Sequence, residues 1–380
     1  MVPSVEPFPS FFCQLYHDEV GIHTFEVHYH FSLPDEQALL QYIWKNIITT
    51  SPRCPHNRQM VSLIPGLHAQ MLSTDVGQIL KLIINPRVMV DGTEGYCRIT
   101  DSDANTIRNC IKKFNRYWKD HNITPIRLKS CRLTRMDLCM NIEFGDDFSI
   151  PMYLDLLKRT PHDRRLSQQH MKDPEDDHHV YKISNLRRGL VVYDKLYEQQ
   201  KRFHKQEFDC QNLMRIEYQL GTRALRQLCS RVGEYETKGL LQWVLKNAGR
   251  LLCEEIRPLL CVDPYVSSEK IRSIIQRNPN WKESTKKELW QLQLDLYRTN
   301  SYDAYVNPWD GMEDWRELSP EEKKMYRQRK KRLAYILKRY ELLGICPTAL
   351  RRGSGLVYLP SLYQLICTVL ADREQRRRAE

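Results

Sequence analysis

Apolar and polar residues change their spacing several times along the chain, and each change marks an element. From Ile22 to Phe31 they alternate among β-branched and aromatic side chains, as a strand requires. Ser32-Leu33-Pro34-Asp35 then opens a segment in which Leu39, Leu40, Ile43, Trp44 and Ile47 recur at helical spacing, with Trp44 on the buried side. Two extended stretches, 60–64 and 78–90, precede a second amphipathic helix marked by Ile107, Cys110, Ile111, Phe114 and Trp118. Segment 131–144 returns to a period of two, with Met136, Leu138, Met140 and Ile142 on one parity and Arg135, Asp137, Asn141 and Glu143 on the other. Pro151 starts a short helix through Leu154 and Leu157, and strands over 189–197 and 213–220 complete a second unit of similar make-up.

Two β-α-β-β units side by side predict an α+β domain over residues 15–222. Its antiparallel sheet is expected to carry helices on one face and leave the other free for a substrate. Beyond Thr222 the pattern turns helical, through Leu225, Leu228, Leu240, Leu241, Val244, Leu251, Leu252, Leu289, Leu292 and Leu296. A mainly helical, basic second domain is therefore expected over 223–380. Its best-signalled helix opens on the capping box Ser319-Pro320-Glu321-Glu322 and runs to Leu343, with Gly344 as its stop. That helix carries Lys330, Lys331 and Arg332 among other cations. It reads equally as a solvated face or as a phosphate-contacting helix leading into a winged or helix-turn-helix element over 347–358.

Composition narrows the partners. The 380 residues are 41% hydrophobic, enough for a sizeable core in two or three domains. Lys and Arg number 58 against 47 Asp and Glu, a formal charge of +11, which favours a polyanion: nucleic acid first, an anionic membrane second. Twelve cysteines without a C-x-x-C pair fit a reducing cytoplasm. Residues 1–12 read as an irregular lead-in rather than a secretory leader, and no segment is apolar for long enough to span a bilayer.

Three polar signals sit on predicted strands: Arg135-Met136-Asp137, Tyr193-Asp194-Lys195 with Glu198 beyond it, and Arg215-Ile216-Glu217. Alternation aims Arg135 with Asp137, and Arg215 with Glu217 and Gln219, away from the apolar parity. Singly, such strings are ordinary cross-strand ion pairs. Together they have a sharper meaning, because two carboxylates on one sheet form a hard oxygen site and a neighbouring tyrosine can attack a phosphodiester.

The order Arg135-Met136-Asp137, Leu190 to Lys195 with Glu198, then Met214 to Tyr218, resembles the replication initiation factor family of plasmids and integrative elements. It is equally similar to the gene II/X replication proteins of filamentous phages, as is the run from Lys81 to Gly92 with its Asn85-Pro86 turn. The resemblance covers about residues 60–222. It implies a rolling-circle initiator that nicks one DNA strand with Tyr193, aided by Lys195 on the same strand face, leaving a 5′-phosphotyrosine and a 3′-hydroxyl primer. Asp137 and Glu217 are the expected ligands of Mg²⁺ or Mn²⁺, with Arg135, Arg215, Lys330, Lys331 and Arg332 on phosphates. Glu198 and a second tyrosine, Tyr197, rank behind these. His28-Tyr29-His30 resembles the histidine pair of HUH endonucleases, although the bulky aliphatic usual between them is missing and a strand-surface pair is the preferred reading. Expected partners are DNA, as a single strand or a cruciform origin, a host helicase and a second copy of the chain. The rival readings are a conjugative relaxase with the same chemistry and a DNA-binding regulator that cuts nothing.

Overall fold

The computed structural model describes residues 20–31, 41–42, 60–74, 77–92, 104–121, 123, 126–171, 173–203, 212–306 and 318–379. In chain order these form β1 (Val20–His30), β2 (Val61–Ile64), β3 (Leu67–Thr74), β4 (Gly77–Ile84), α1 (Pro86–Asp91), α2 (Ala104–Asp120) and β5 (Arg132–Glu143). There follow α3 (Ser149–Arg159), β6 (Ser167–Gln168), α4 (Pro174–His179), β7 (Val180–Ser184), β8 (Arg188–Asp194), α5 (Lys195–Phe203) and β9 (Leu213–Gly221). The remainder is α6 (Thr222–Val232), α7 (Thr237–Ile256), β10 (Tyr265–Val266), α8 (Ser268–Arg277), α9 (Glu283–Thr299), α10 (Tyr302–Val306), α11 (Pro320–Leu343), β11 (Tyr358–Leu359) and α12 (Leu362–Ala379). The fold is α+β, and no helix among the described residues is long and apolar enough to cross a membrane.

The chain divides into two compact units, one made of 1–145 and 185–252, the other of 146–184 and 253–380. This differs from the expected single cut after residue 222, for two reasons visible in the packing. Helix α6 rests on β5 and β9, and Thr237 at the start of α7 hydrogen-bonds the Cys131 carbonyl at 3.3 Å, so both helices belong with the sheet. In the second unit, Tyr153 of α3 donates to the Pro360 carbonyl at 3.1 Å and the buried Arg159 donates to the Ala349 carbonyl at 3.1 Å. Those bonds tie 146–184 to the C-terminal segment.

In the first unit the strands run in the order β2-β3-β4-β1-β5-β9-β8, every neighbouring pair antiparallel. Met136, Leu138, Met140 and Ile142 of β5 are buried, as are Met214, Ile216, Tyr218 and Leu220 of β9, so one parity of the central strands is core as the alternation predicts. The opposite parity departs from expectation. Asp137, Cys139, Asn141, Arg215 and Glu217 are buried as well, so the polar face at the sheet centre is not the free surface expected of a sheet covered on one side.

Two local readings are also corrected. The extended stretch expected to run to Val90 ends at Ile84, because Asn85 caps a helix: its side chain accepts from Val88 N at 3.1 Å and Pro86 occupies the first turn. The strand expected to reach Tyr197 ends at Asp194, whose carboxylate accepts from Tyr197 N at 3.1 Å and starts α5. Strand β3, with Ala69 and Met71 buried, has no counterpart in the sequence reading. The helix expected after Asp35, with Trp44, lies outside the described residues except for 41–42, which are helical.

The second unit centres on a cluster that includes Ile271, Leu289, Leu292, Leu296, Leu333, Ile336 and Tyr340. Its helix α11 has the predicted ends: Ser319 N donates to Glu322 Oε2 at 2.8 Å, Glu322 N to Ser319 Oγ at 3.2 Å, and Gly344 closes the helix at φ 66°. In place of a wing, 347–358 contributes Leu350, bridged to Ser267, and leads into β11, which pairs with β10.

Candidate active site

The polar parity of β5, β9 and β8 is laid out by register. Asn141 faces Arg215, which faces Tyr193; Cys139 faces Glu217, which faces Val191; Asp137 faces Gln219, which faces Gly189. On the other side of β5, Thr24 of β1 faces Asp137 and Glu26 faces Arg135. Between Ile22 and Thr24 the register slips by one residue, so His23 sits in a β-bulge. The bulge turns an imidazole of the wrong parity toward the polar face, where His23 Nε2 lies 3.7 Å from Glu217 Oε1.

Tyr193 is the hub of this face. Its phenol donates to Glu217 Oε1 at 2.8 Å, and the fully buried Arg215 hydrogen-bonds the same phenol. Arg215 Nε donates to Asn141 Oδ1 at 2.8 Å, which fixes the guanidinium along the register row. Burial, followed by the charge of Glu217, pushes the Tyr193 phenol far above its ordinary value. Burial, then Arg215 and Lys195, holds the His23 imidazole well below its usual range, and the ring is neutral at pH 7.

Lys195 is not on the strand with Tyr193, as expected, but is the first residue of α5. From there its ammonium still reaches 5.8 Å from the centre of the Tyr193 ring, and it donates to Glu198 Oε2 at 2.5 Å. Burial and the Arg215 charge lower the Lys195 pKa, while Lys195 holds the Glu198 carboxyl below its usual range against burial.

Asp137 is engaged elsewhere. Arg135 grips both its oxygens, Nε to Oδ1 at 2.8 Å and Nη2 to Oδ2 at 2.7 Å, and Thr24 donates to Oδ2 at 2.5 Å. Burial pushes its carboxyl up against the pull of that guanidinium, and the Glu217 charge adds to the rise. Both Asp137 oxygens are thus engaged by Arg135 and Thr24, while the carboxylate stays near enough to Glu217 for the two charges to interact. Among the described residues, no group of three His, Cys, Asp or Glu side chains is arranged to hold a metal ion.

Farther along the same face, Glu26 accepts from His28 at 2.9 Å, from Lys81 at 2.8 Å and from Thr134 at 3.0 Å. Burial opposes its ionisation, but those donors hold its pKa at about 2. His28 is thus a hydrogen-bond partner of Glu26, while His30 is exposed at the strand end. Tyr197 sits on α5 rather than beside Tyr193. Lys330, Lys331 and Arg332 lie on α11 of the second unit, where Lys330 stacks over Tyr326 at 4.2 Å and Arg332 pairs with Glu288.

Sequence reasoning placed Asn141 on the polar parity but missed His23, Thr24 and Lys81 as members of that face. Lys81 carried a readable signal, a polar side chain inside an otherwise apolar strand. His23 carried none, because the bulge that aims it inward breaks the parity rule. No family model matches the chain, and no similar protein was found among curated sequences.

Proposed function

We propose that this chain is a DNA-nicking transesterase of the rolling-circle initiator type, with Tyr193 as the nucleophile and Glu217 as the acceptor of its proton. One observation carries the reading: a tyrosine hydroxyl donates to a carboxylate at 2.8 Å while a buried guanidinium contacts the same oxygen. A buried phenol rarely ionises at neutral pH, so attack requires a base in hydrogen-bond reach and a cation to stabilise the oxygen as charge develops. Glu217 meets the first need and Arg215 the second.

In the reaction the Tyr193 Oη–P bond forms as the P–O3′ bond breaks. The phenolic proton passes to Glu217, and the departing 3′ oxygen takes up a proton to become the primer hydroxyl. The products are a 5′-phosphotyrosine and a free 3′ end. The excess of 11 positive charges supports a polyanionic substrate. The reading brings with it origin DNA, single-stranded or cruciform, a host helicase and a cytoplasmic site of action.

The test is incubation of wild type and Tyr193→Phe with labelled single-stranded oligonucleotides, with and without Mn²⁺, followed by a denaturing gel. A covalent protein-DNA band that disappears in Tyr193→Phe supports the transesterase. No band under any condition leaves the non-cutting DNA-binding regulator as the better reading.

A further inference from the structure

At the end of the first unit's sheet where β5 begins, a cavity of about 870 Å³ opens beside α6 and the start of α7. Its floor is apolar, built largely of leucines. Its rim carries Arg127, Lys129, Arg132, Arg226 and Lys238, all exposed, with Tyr235 beside them 75% exposed. Glu236 is the acidic residue of the lining, yet none of the five cations forms an ion pair with an acidic side chain among the described residues. A neighbouring depression shares Arg226 and adds Arg223.

This arrangement differs from the basic helix α11, where several of the arginines are committed. There Arg332 pairs with Glu288, Arg329 stacks over Tyr305 at 4.7 Å and Arg339 over Tyr335 at 3.2 Å. Five uncommitted like charges around one concavity repel each other until an extended polyanion neutralises them. A large exposed aromatic next to such a rim is a platform on which a base can stack. A duplex hides its base faces, so phosphate-binding cations combined with a stacking ring select a single strand.

We propose that this groove binds single-stranded DNA, with phosphates on the rim cations and a base on Tyr235. The choice of DNA over another single-stranded polyanion rests on the transesterase reading. Along β5, Arg132 and Cys139, the residue facing Glu217, are seven positions apart, about 23 Å of strand. The groove therefore holds sequence flanking the cut rather than the scissile phosphate itself.

The experiment is fluorescence anisotropy of the full chain with a labelled oligothymidylate, and with a duplex of equal length, over a series of salt concentrations. The double variant R226E/K238E, and its milder form R226Q/K238Q, should bind the single strand at least ~10-fold more weakly and with a shallower salt dependence. Tyr235→Ala should lose ~5- to 100-fold without changing the salt slope, and Tyr235→Phe should bind like wild type. Unchanged affinity in R226E/K238E, or a duplex bound as tightly as the single strand, overturns the proposal. The two readings fail separately. Weakened binding by the groove variants in a protein that forms no covalent adduct sinks the nicking chemistry alone, whereas adduct formation with unaltered groove-variant binding sinks the groove alone.

Discussion

Around Glu26 on β1, a carboxylate is met by an imidazole, an ammonium and a hydroxyl, and its pKa falls to about 2. Around Glu217 on β9, two strands away on the same face, a carboxylate is met by a phenol and a neutral imidazole, and the nearest guanidinium contacts the phenol instead. Both are buried glutamates in one sheet, and the difference lies in what their neighbours can do with a proton. The donors at Glu26 lock it as an anion, which makes that cluster a structural clamp between β1, β4 and β5. At Glu217 the principal donor is itself an acid that can surrender its proton, and under the proposed function the same residue type serves as half of a nucleophile-base pair.

Four substitutions sharpen the contrast. The largest effect is expected from Glu217→Gln, which should slow adduct formation by ~10²- to 10⁴-fold in a single-turnover nicking assay while thermal unfolding shifts little. Next, Arg215→Met removes a fully buried charge from between Asn141 and Tyr193, and chemical denaturation should report a loss of ~3–5 kcal/mol. Glu26→Gln should cost about 3 kcal/mol at neutral pH, the free-energy equivalent of its pKa depression, and leave nicking chemistry near wild type. Because that pKa is depressed, its contribution is complete above about 4.5 and is lost as pH falls toward about 2. The acid arm of the wild-type stability profile should accordingly flatten in Glu26→Gln.

The smallest effect belongs to His23. Its folded pKa lies below the ordinary 6.5, so the stability it contributes is present above that pH and is lost as pH falls through the folded value. His23→Gln should change the acid decline from pH 6.5 downward, whereas Glu26→Gln should change it only from about 4.5 downward. A profile in which Glu26→Gln alters the decline between pH 6.5 and 4.5 as His23→Gln does would contradict the division of labour between the two clusters.

Much of this was legible in the sequence, and what was not has a physical cause. The parity of β5 and β9 was readable because a period of two survives wherever strands stay in register, and the capping box of α11 was readable because its bonds are local. Tyr193 beside Glu217 was foreseen as a shared face, but not the hydrogen bond itself, which crosses from β8 to β9 two positions off the register row. The reach of Lys195 was attributed to the strand and comes instead from α5, because a cap at Asp194 ended the strand early. Burial of the polar face was invisible, since alternation says which side chains share a face and nothing about whether that face meets water. The composition of the two units depended on bonds such as Tyr153 to Pro360, which join positions far apart in the chain.

The most direct test of the account is peptide mapping of the covalent adduct by tandem mass spectrometry after nuclease trimming of the bound DNA. A nucleotide-sized mass increment is expected on Tyr193, with Glu217→Gln yielding the same modified residue at much lower occupancy. An increment on Tyr197, or on any residue outside the Tyr193–Glu217–Arg215 face, would contradict it.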